Sequence, residues 1–313
     1  MKRFVFAILS MAILAGVGFG VLTAPSLYEL VRGAPDTSTP AVADLDNGRE
    51  LFFAGGCPSC HAVPGQDDRT KLGGGLALHS PFGTFYAPNI SPHEADGIGG
   101  WTVEAFIRAM REGVSPDGRH YYPAFPYTSY QRMASADLAD VFAFIKTLPP
   151  AEGRVRDHDL PFPFNIRRGL GLWKLAFLDG RAIQPDSTKS PEWNRGRYLV
   201  EGPGHCAECH SPRNVAGATI ADKRFSGGPD PEGKGFTPNI TQDKAGLASW
   251  SKADIVELLK TGFTPDYDAV GGSMAPVIRN TSQLTDADRA AMAEYLKSLP
   301  PVPSPPRPPK TSG

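Results

Sequence analysis

Cys57-Pro58-Ser59-Cys60-His61 is the stretch on which the reading turns, and it returns as Cys206-Ala207-Glu208-Cys209-His210. The spacing C-x-x-C-H is the attachment signature of a c-type haem. Two thiols three positions apart each form a thioether to one vinyl group of the porphyrin, and the next residue sets its imidazole against the iron. The 313-residue chain has four cysteines and the two motifs use all of them, leaving none for a disulfide or a zinc site. A structural C-x-x-C beside an unrelated histidine is the bland alternative, and two copies that consume every cysteine argue against it. The sequence therefore predicts two covalently attached haem c groups. Cys57, Cys60 and His61 hold one, and Cys206, Cys209 and His210 the other.

Other features recur at nearly the same offset, which marks an internal repeat. Cys57 and Cys206 are 149 residues apart, as are Trp101 and Trp250. Pro88-Asn89-Ile90 returns as Pro238-Asn239-Ile240, and Leu148-Pro149-Pro150 as Leu299-Pro300-Pro301. Each copy is a unit of roughly 105 to 110 residues, the size of one small domain. The balance of 32 basic against 33 acidic side chains gives no field that would hold nucleic acid.

Lys2-Arg3 precede an apolar run from Phe4 to Leu22 without a charge, long enough to cross a bilayer as a helix. The small-x-small pattern of a cleaved signal is poor at its end, so the expectation is an uncleaved anchor over residues 1–24, with a cleaved signal as the alternative. Lys2-Arg3 would stay inside and the rest of the chain cross to the other face. Residues 25–44, rich in Pro, Ala, Thr and Ser, read as a tether, and residues 301–313 as a disordered proline-rich tail.

Between them lie a first domain at 45–150, an interdomain segment at 151–189 and a second domain at 190–300. The patterning within each domain is helical, with no convincing strand. Thr102 and Ser251 are placed to cap one helix, and Gly113 and Gly262 to end it. A last helix begins at Ser135 or Thr285 and stops at Leu-Pro-Pro. The interdomain segment carries Leu160-Pro161-Phe162-Pro163-Phe164-Asn165 and an apolar helical run from Leu170 to Leu178. It is too aromatic to be a free linker, and is expected to pack across both domains.

Fast electron transfer needs a sixth iron ligand, and methionine there favours ferrous iron. Met274 supplies it in the second domain, in the polar Gly272-Ser273-Met274-Ala275-Pro276 loop 64 residues after His210. A core role for Met274 is the alternative. The matching position 64 residues after His61 is Phe125, which cannot bind iron. Met133, His120 or no ligand at all remain for the first iron, and Met133 also reads as a core residue matching Leu284. His79, His93, His158 and His205 read as surface or loop residues.

The two motifs, together with Phe85-Tyr86-Ala87-Pro88-Asn89-Ile90, Tyr122-Pro123-Ala124-Phe125-Pro126-Tyr127-Thr128-Ser129-Tyr130 and the Leu160–Asn165 segment, resemble the cytochrome c subunits of bacterial membrane-bound alcohol, gluconate and aldehyde dehydrogenases. The resemblance covers about residues 45 to 300. It implies an all-α fold of two tandem class I-type cytochrome c domains behind an N-terminal membrane anchor helix. It also implies a location at the bacterial inner membrane with the haem domains facing the periplasm. The implied role is non-enzymatic: electrons pass from a partner dehydrogenase to an oxidase, quinone or cytochrome. Two haems rather than three, an N-terminal anchor and Phe125 are departures from the family pattern. They put the donor and quinone reduction in doubt. The competing class is a dihaem redox enzyme, of peroxidase or thiosulfate dehydrogenase type, with an open first haem and His120 as its acid–base group.

Overall fold

Helices at the two ends of each repeat cross because a glycine lets them. A computed structural model describes residues 1–231 and 235–307 of the chain. After α1 (Lys2–Leu22) and α2 (Pro25–Arg32), the first repeat runs α3 (Leu45–Ala54), α4 (Cys57–His61), β1 (Ala77–Ser80), β2 (Gly83–Tyr86), α5 (Val103–Glu112), α6 (Tyr127–Tyr130) and α7 (Ser135–Lys146). A 3-10 turn (Arg167–Gly169) leads into α8 (Leu170–Phe177) of the interdomain segment. The second repeat follows as α9 (Pro191–Glu201), α10 (Cys206–Cys209), β3 (Gly228–Pro229), β4 (Phe236–Thr237), α11 (Lys252–Thr261), α12 (Met274–Thr281) and α13 (Asp286–Ser298).

Helix α3 packs on α7, and α9 packs on α13. At each crossing a Cβ on the glycine, Gly48 or Gly196, would fall inside contact distance of the Asp140 or Ala291 carbonyl. Leu51 and Phe52 of α3 pack with Leu138, Val141, Phe142 and Ile145 of α7 in a core that continues into the second repeat. Local signals agree with these elements. Thr102 accepts from Ala105 N, and Ser251 forms a capping box with Asp254. Gly113 and Gly262 end their helices in the left-handed conformation.

Three expectations need correction. The chain is helical but not wholly so. Ala77–Ser80 pairs antiparallel with Gly83–Tyr86, and Gly228–Pro229 with Phe236–Thr237. These ladders are too short to show alternation in sequence. The tether at 25–44 contains α2, which begins with Pro25 and buries only Tyr28. Glu29 of α2 pairs with Arg108, and Arg32 donates to the Leu175 carbonyl at 2.9 Å. A helix held by one inward ring and its charges carries little apolar periodicity to read. The tail also holds on as far as residue 307. Asn239 donates to the carbonyl of Val302 at 2.8 Å and to Ser304, as Asn89 does to Ala151 and Gly153 in the first repeat. The remainder of that tail, 308–313, lies outside the described residues.

Helix α1 is apolar throughout, buries none of its residues, and is long enough to cross a membrane. The interdomain segment touches both repeats. Lys174 donates to the Gly113 carbonyl at 2.6 Å, and Trp173 Nε1 to the Ala216 carbonyl at 2.8 Å.

Candidate functional site

Each motif histidine is held at two points, and the two repeats do it alike. Nδ1 of His61 donates to the Pro88 carbonyl at 2.8 Å, and Nδ1 of His210 donates to the Pro238 carbonyl at 2.8 Å. This fixes the tautomer and leaves Nε2 as the ligating atom. The backbone carbonyls of the same histidines accept from Gly74 N and Gly227 N, both at 2.8 Å. These glycines have φ of 74° and 78°, and a Cβ on either would strike the Pro88 or Thr237 carbonyl. The recurrence of glycine-rich loop and Pro-Asn-Ile in the sequence thus has one cause, since together they clamp the histidine. Burial pulls both imidazoles below the usual histidine value, with the proline carbonyls opposing it, so both are neutral as ligation requires.

Cysteines 57, 60, 206 and 209 lie on α4 and α10, none in a disulfide. Burial first, and Cys60 second, push the Cys57 thiol up to about 12. Burial and Cys209 push Cys206 to about 12 as well. Among the described residues no group of three or more His, Cys, Asp and Glu could hold a metal ion. Neutral thiols without such partners suit thioether formation and not a thiolate metal site. Two C-x-x-C-H turns with oriented imidazoles fit covalent haem.

The two attachment helices meet each other's domains, a contact that the sequence does not disclose. Asn280 of α12 donates to Ser59 Oγ at 2.6 Å, and Ser59 Oγ in turn lies 3.3 Å from the Pro276 carbonyl. In the opposite sense, Thr128 and Ser129 of the first domain donate to Glu208 at 2.6 and 2.9 Å. Burial alone would raise the Glu208 carboxyl, but Arg213 and these hydroxyls outweigh it and hold the group below the usual range. Tyr130 donates to the Gly55 carbonyl at 2.8 Å, and its ring packs edge-on against His205 at 5.7 Å. His205 is therefore no surface residue. It sits at φ 39° directly before Cys206, where Gly56 precedes Cys57, and its Nε2 is 3.6 Å from where a Gly56 Cβ would be. The signal available was the pair of central motif residues, Ser59 and Glu208, which the haem chemistry does not need.

Met274 opens α12, which packs against both α3 and α4 of the other domain. Phe125 lies among Tyr121, Tyr127 and Tyr130 at 5.7, 6.3 and 5.7 Å. Met133 is 1% exposed in the main core, as Leu284 is at 4%, so the packing reading of Met133 is the one the structure favours. Both ring nitrogens of His120 are occupied. Nε2 donates to the Thr23 carbonyl at 2.8 Å, and Nδ1 accepts from Lys174 Nζ at 3.0 Å. His79 and His93 take part only in local bonds, and His158 accepts from Tyr86 N at 3.2 Å.

Comparison with known proteins agrees with this site. Residues 45–149 and 194–300 match the family described as Cytochrome c. A "Diheme cytochrome c-type" protein of Cereibacter sphaeroides is 48% identical over 96% of this chain and 100% of its own length. The "Fructose dehydrogenase cytochrome subunit" of Gluconobacter japonicus is 39% identical over 86% of this chain, which spans 56% of that protein. The "Gluconate 2-dehydrogenase cytochrome c subunit" of Pantoea cypripedii is 37% identical over 88% of this chain, which spans 65% of that protein.

Proposed function

Because this chain belongs to the cytochrome c family and carries two covalent haem c groups, we propose that it relays electrons from a dehydrogenase partner to a respiratory acceptor. The observation that supports this most is the crossed contact between the attachment segments, Ser59 to Asn280 and Glu208 to Thr128 and Ser129. Two redox groups attached to such a pair of helices belong to one conduit, not to two independent carriers. When bound, each haem supplies one-electron exchange between ferric and ferrous iron.

The residues divide the remaining work. Cys57, Cys60, Cys206 and Cys209 form the thioethers. His61 and His210 present Nε2 to the irons, each kept in place by its proline carbonyl. Met274 is the sixth ligand of the second iron and raises its potential. Helix α1 stays in the inner membrane as an anchor, with the haem domains in the periplasm. Relatives named as cytochrome subunits of fructose, alcohol and gluconate dehydrogenases favour a dehydrogenase as donor. An oxidase, a quinone or another cytochrome is the acceptor.

A peroxidase-type reading needs a positioned acid–base group on the distal side of the first haem. His120, its candidate, already serves Thr23 and Lys174. The deciding experiment deletes the chain from cells that use the partner dehydrogenase. Substrate-driven oxygen uptake by their membranes should disappear while dye-linked dehydrogenase activity persists. Unchanged oxygen uptake, or steady peroxide turnover by the isolated protein, would overturn the relay.

A further inference from the structure

Residues Pro161 to Ile166 are all exposed, and they include Phe162 at 77%, Phe164 at 43% and Ile166 at 45%. Leu172 and Phe177 of α8 add two more exposed apolar side chains a little further on. Burying one such side chain is worth about 1.5 to 3 kcal/mol, so leaving several together in water is a substantial cost. Clustered exposure of this kind marks a contact surface.

The position of the cluster says what covers it. Arg168, two residues after Ile166, donates through Nη2 to the Gly20 carbonyl at 2.6 Å and through Nε to Thr23 Oγ1 at 3.2 Å. Gly171 presses on the same point, since a Cβ there would lie 2.6 Å from Thr23 Cα. The segment is thus fastened to the last turn of α1. If α1 spans the bilayer, that turn lies at the outer water boundary, and the exposed rings lie there with it. Arg167, stacked over Tyr122 at 4.9 Å, and Arg168 supply the cations that accompany aromatic side chains at headgroup depth.

We propose that residues 161–177 rest in the outer headgroup layer of the membrane, a second lipid contact that sets the haem domains at a fixed orientation over the bilayer. This rests on the reading of α1 as a retained anchor. The lipid surface is the occupant because the cluster continues the membrane helix. A protein partner on this face is the competing outcome.

The test uses the full chain with both haems, reconstituted into vesicles of phosphatidylethanolamine and phosphatidylglycerol. A phospholipid with a photoactivatable group near the top of its acyl chain is included, and adducts are located by mass spectrometry. Adducts are expected on 161–177 as well as on α1. The triple variant Phe162→Ser, Phe164→Ser, Ile166→Ser should lose the first set, keep the second and retain its haem content. Adducts on α1 alone in the unaltered protein overturn the proposal and leave this face to a protein partner. N-terminal sequencing separates the two claims. A mature chain that starts beyond α1 removes the anchor, and the surface contact then survives only if 161–177 is still labelled.

Discussion

Phe125 places a phenyl ring where the second domain has the thioether of Met274, and this difference makes the two haems unequal. Met274→Ala should lower the potential of the second haem and remove its methionine-to-iron charge-transfer band, with the first haem largely unchanged. The loss corresponds to on the order of a few kcal/mol of ferrous preference. Redox titration of the two haems checks it, and an unaltered potential would take Met274 out of the coordination sphere. His120 carries a second prediction. It is 2% exposed, and burial first, then Lys174, Arg168 and Arg108, pull it down to about 4 while the Thr23 carbonyl opposes them. An unfolded His120 binds its proton near pH 6.5 and the folded one does not. Its contribution is therefore complete above about pH 6.5 and lost as pH falls towards 4, at up to about 1.4 kcal/mol per pH unit. Urea midpoints at pH 7 and pH 5 should diverge less in His120→Gln than in the unaltered protein. Equal divergence would mean that other groups set the acid limit.

At the scale of elements, the helix crossings are the most exacting feature. Ala at position 48 or 196 gains about 0.5 to 1 kcal/mol of helix preference over Gly. It must also push apart backbones already in contact, which costs about 1 to 3 kcal/mol or more. Gly48→Ala and Gly196→Ala should each lower the thermal midpoint and the yield of haem-loaded protein. A neutral effect at either site would mean that the helices can slide. Caps, helix stops and the attachment turns were legible in the sequence because each depends on residues close together in the chain. Helix α2 and residues 302–307 were not, because their partners lie far off, at Arg108 and Leu175 for one and at Asn239 for the other. The equivalence of Ala151 and Val302 was nonetheless readable, since both follow the repeated Leu-Pro-Pro by the same step.

For the whole molecule, the repeat disclosed two units but not how they face each other. Ser59, Asn280, Thr128 and Glu208 look like ordinary polar residues until the fold brings them together. The same holds for His205, whose local pattern suggests a loop and whose ring lies against the other domain. The haem count follows from the motifs alone. After denaturation and acid–acetone extraction, two porphyrins per polypeptide should stay with the chain. Recovery of one, or free porphyrin in the extract, would remove one attachment site from the account.

The meeting of Gly56 and His205 has an evolutionary consequence. They are equivalent positions of the two repeats, and equivalent positions that touch lie on a two-fold axis. Around that axis each attachment helix bonds to the other domain, the isologous pattern of a symmetric homodimer. The molecule is thus built as a dimer written into one gene. Fusion freed the halves to differ, and the two axis positions show it. One kept the glycine that the backbone prefers, and the other acquired a side chain that only the first one's bareness leaves room for. A bulkier residue at 56 would accordingly require a smaller one at 205.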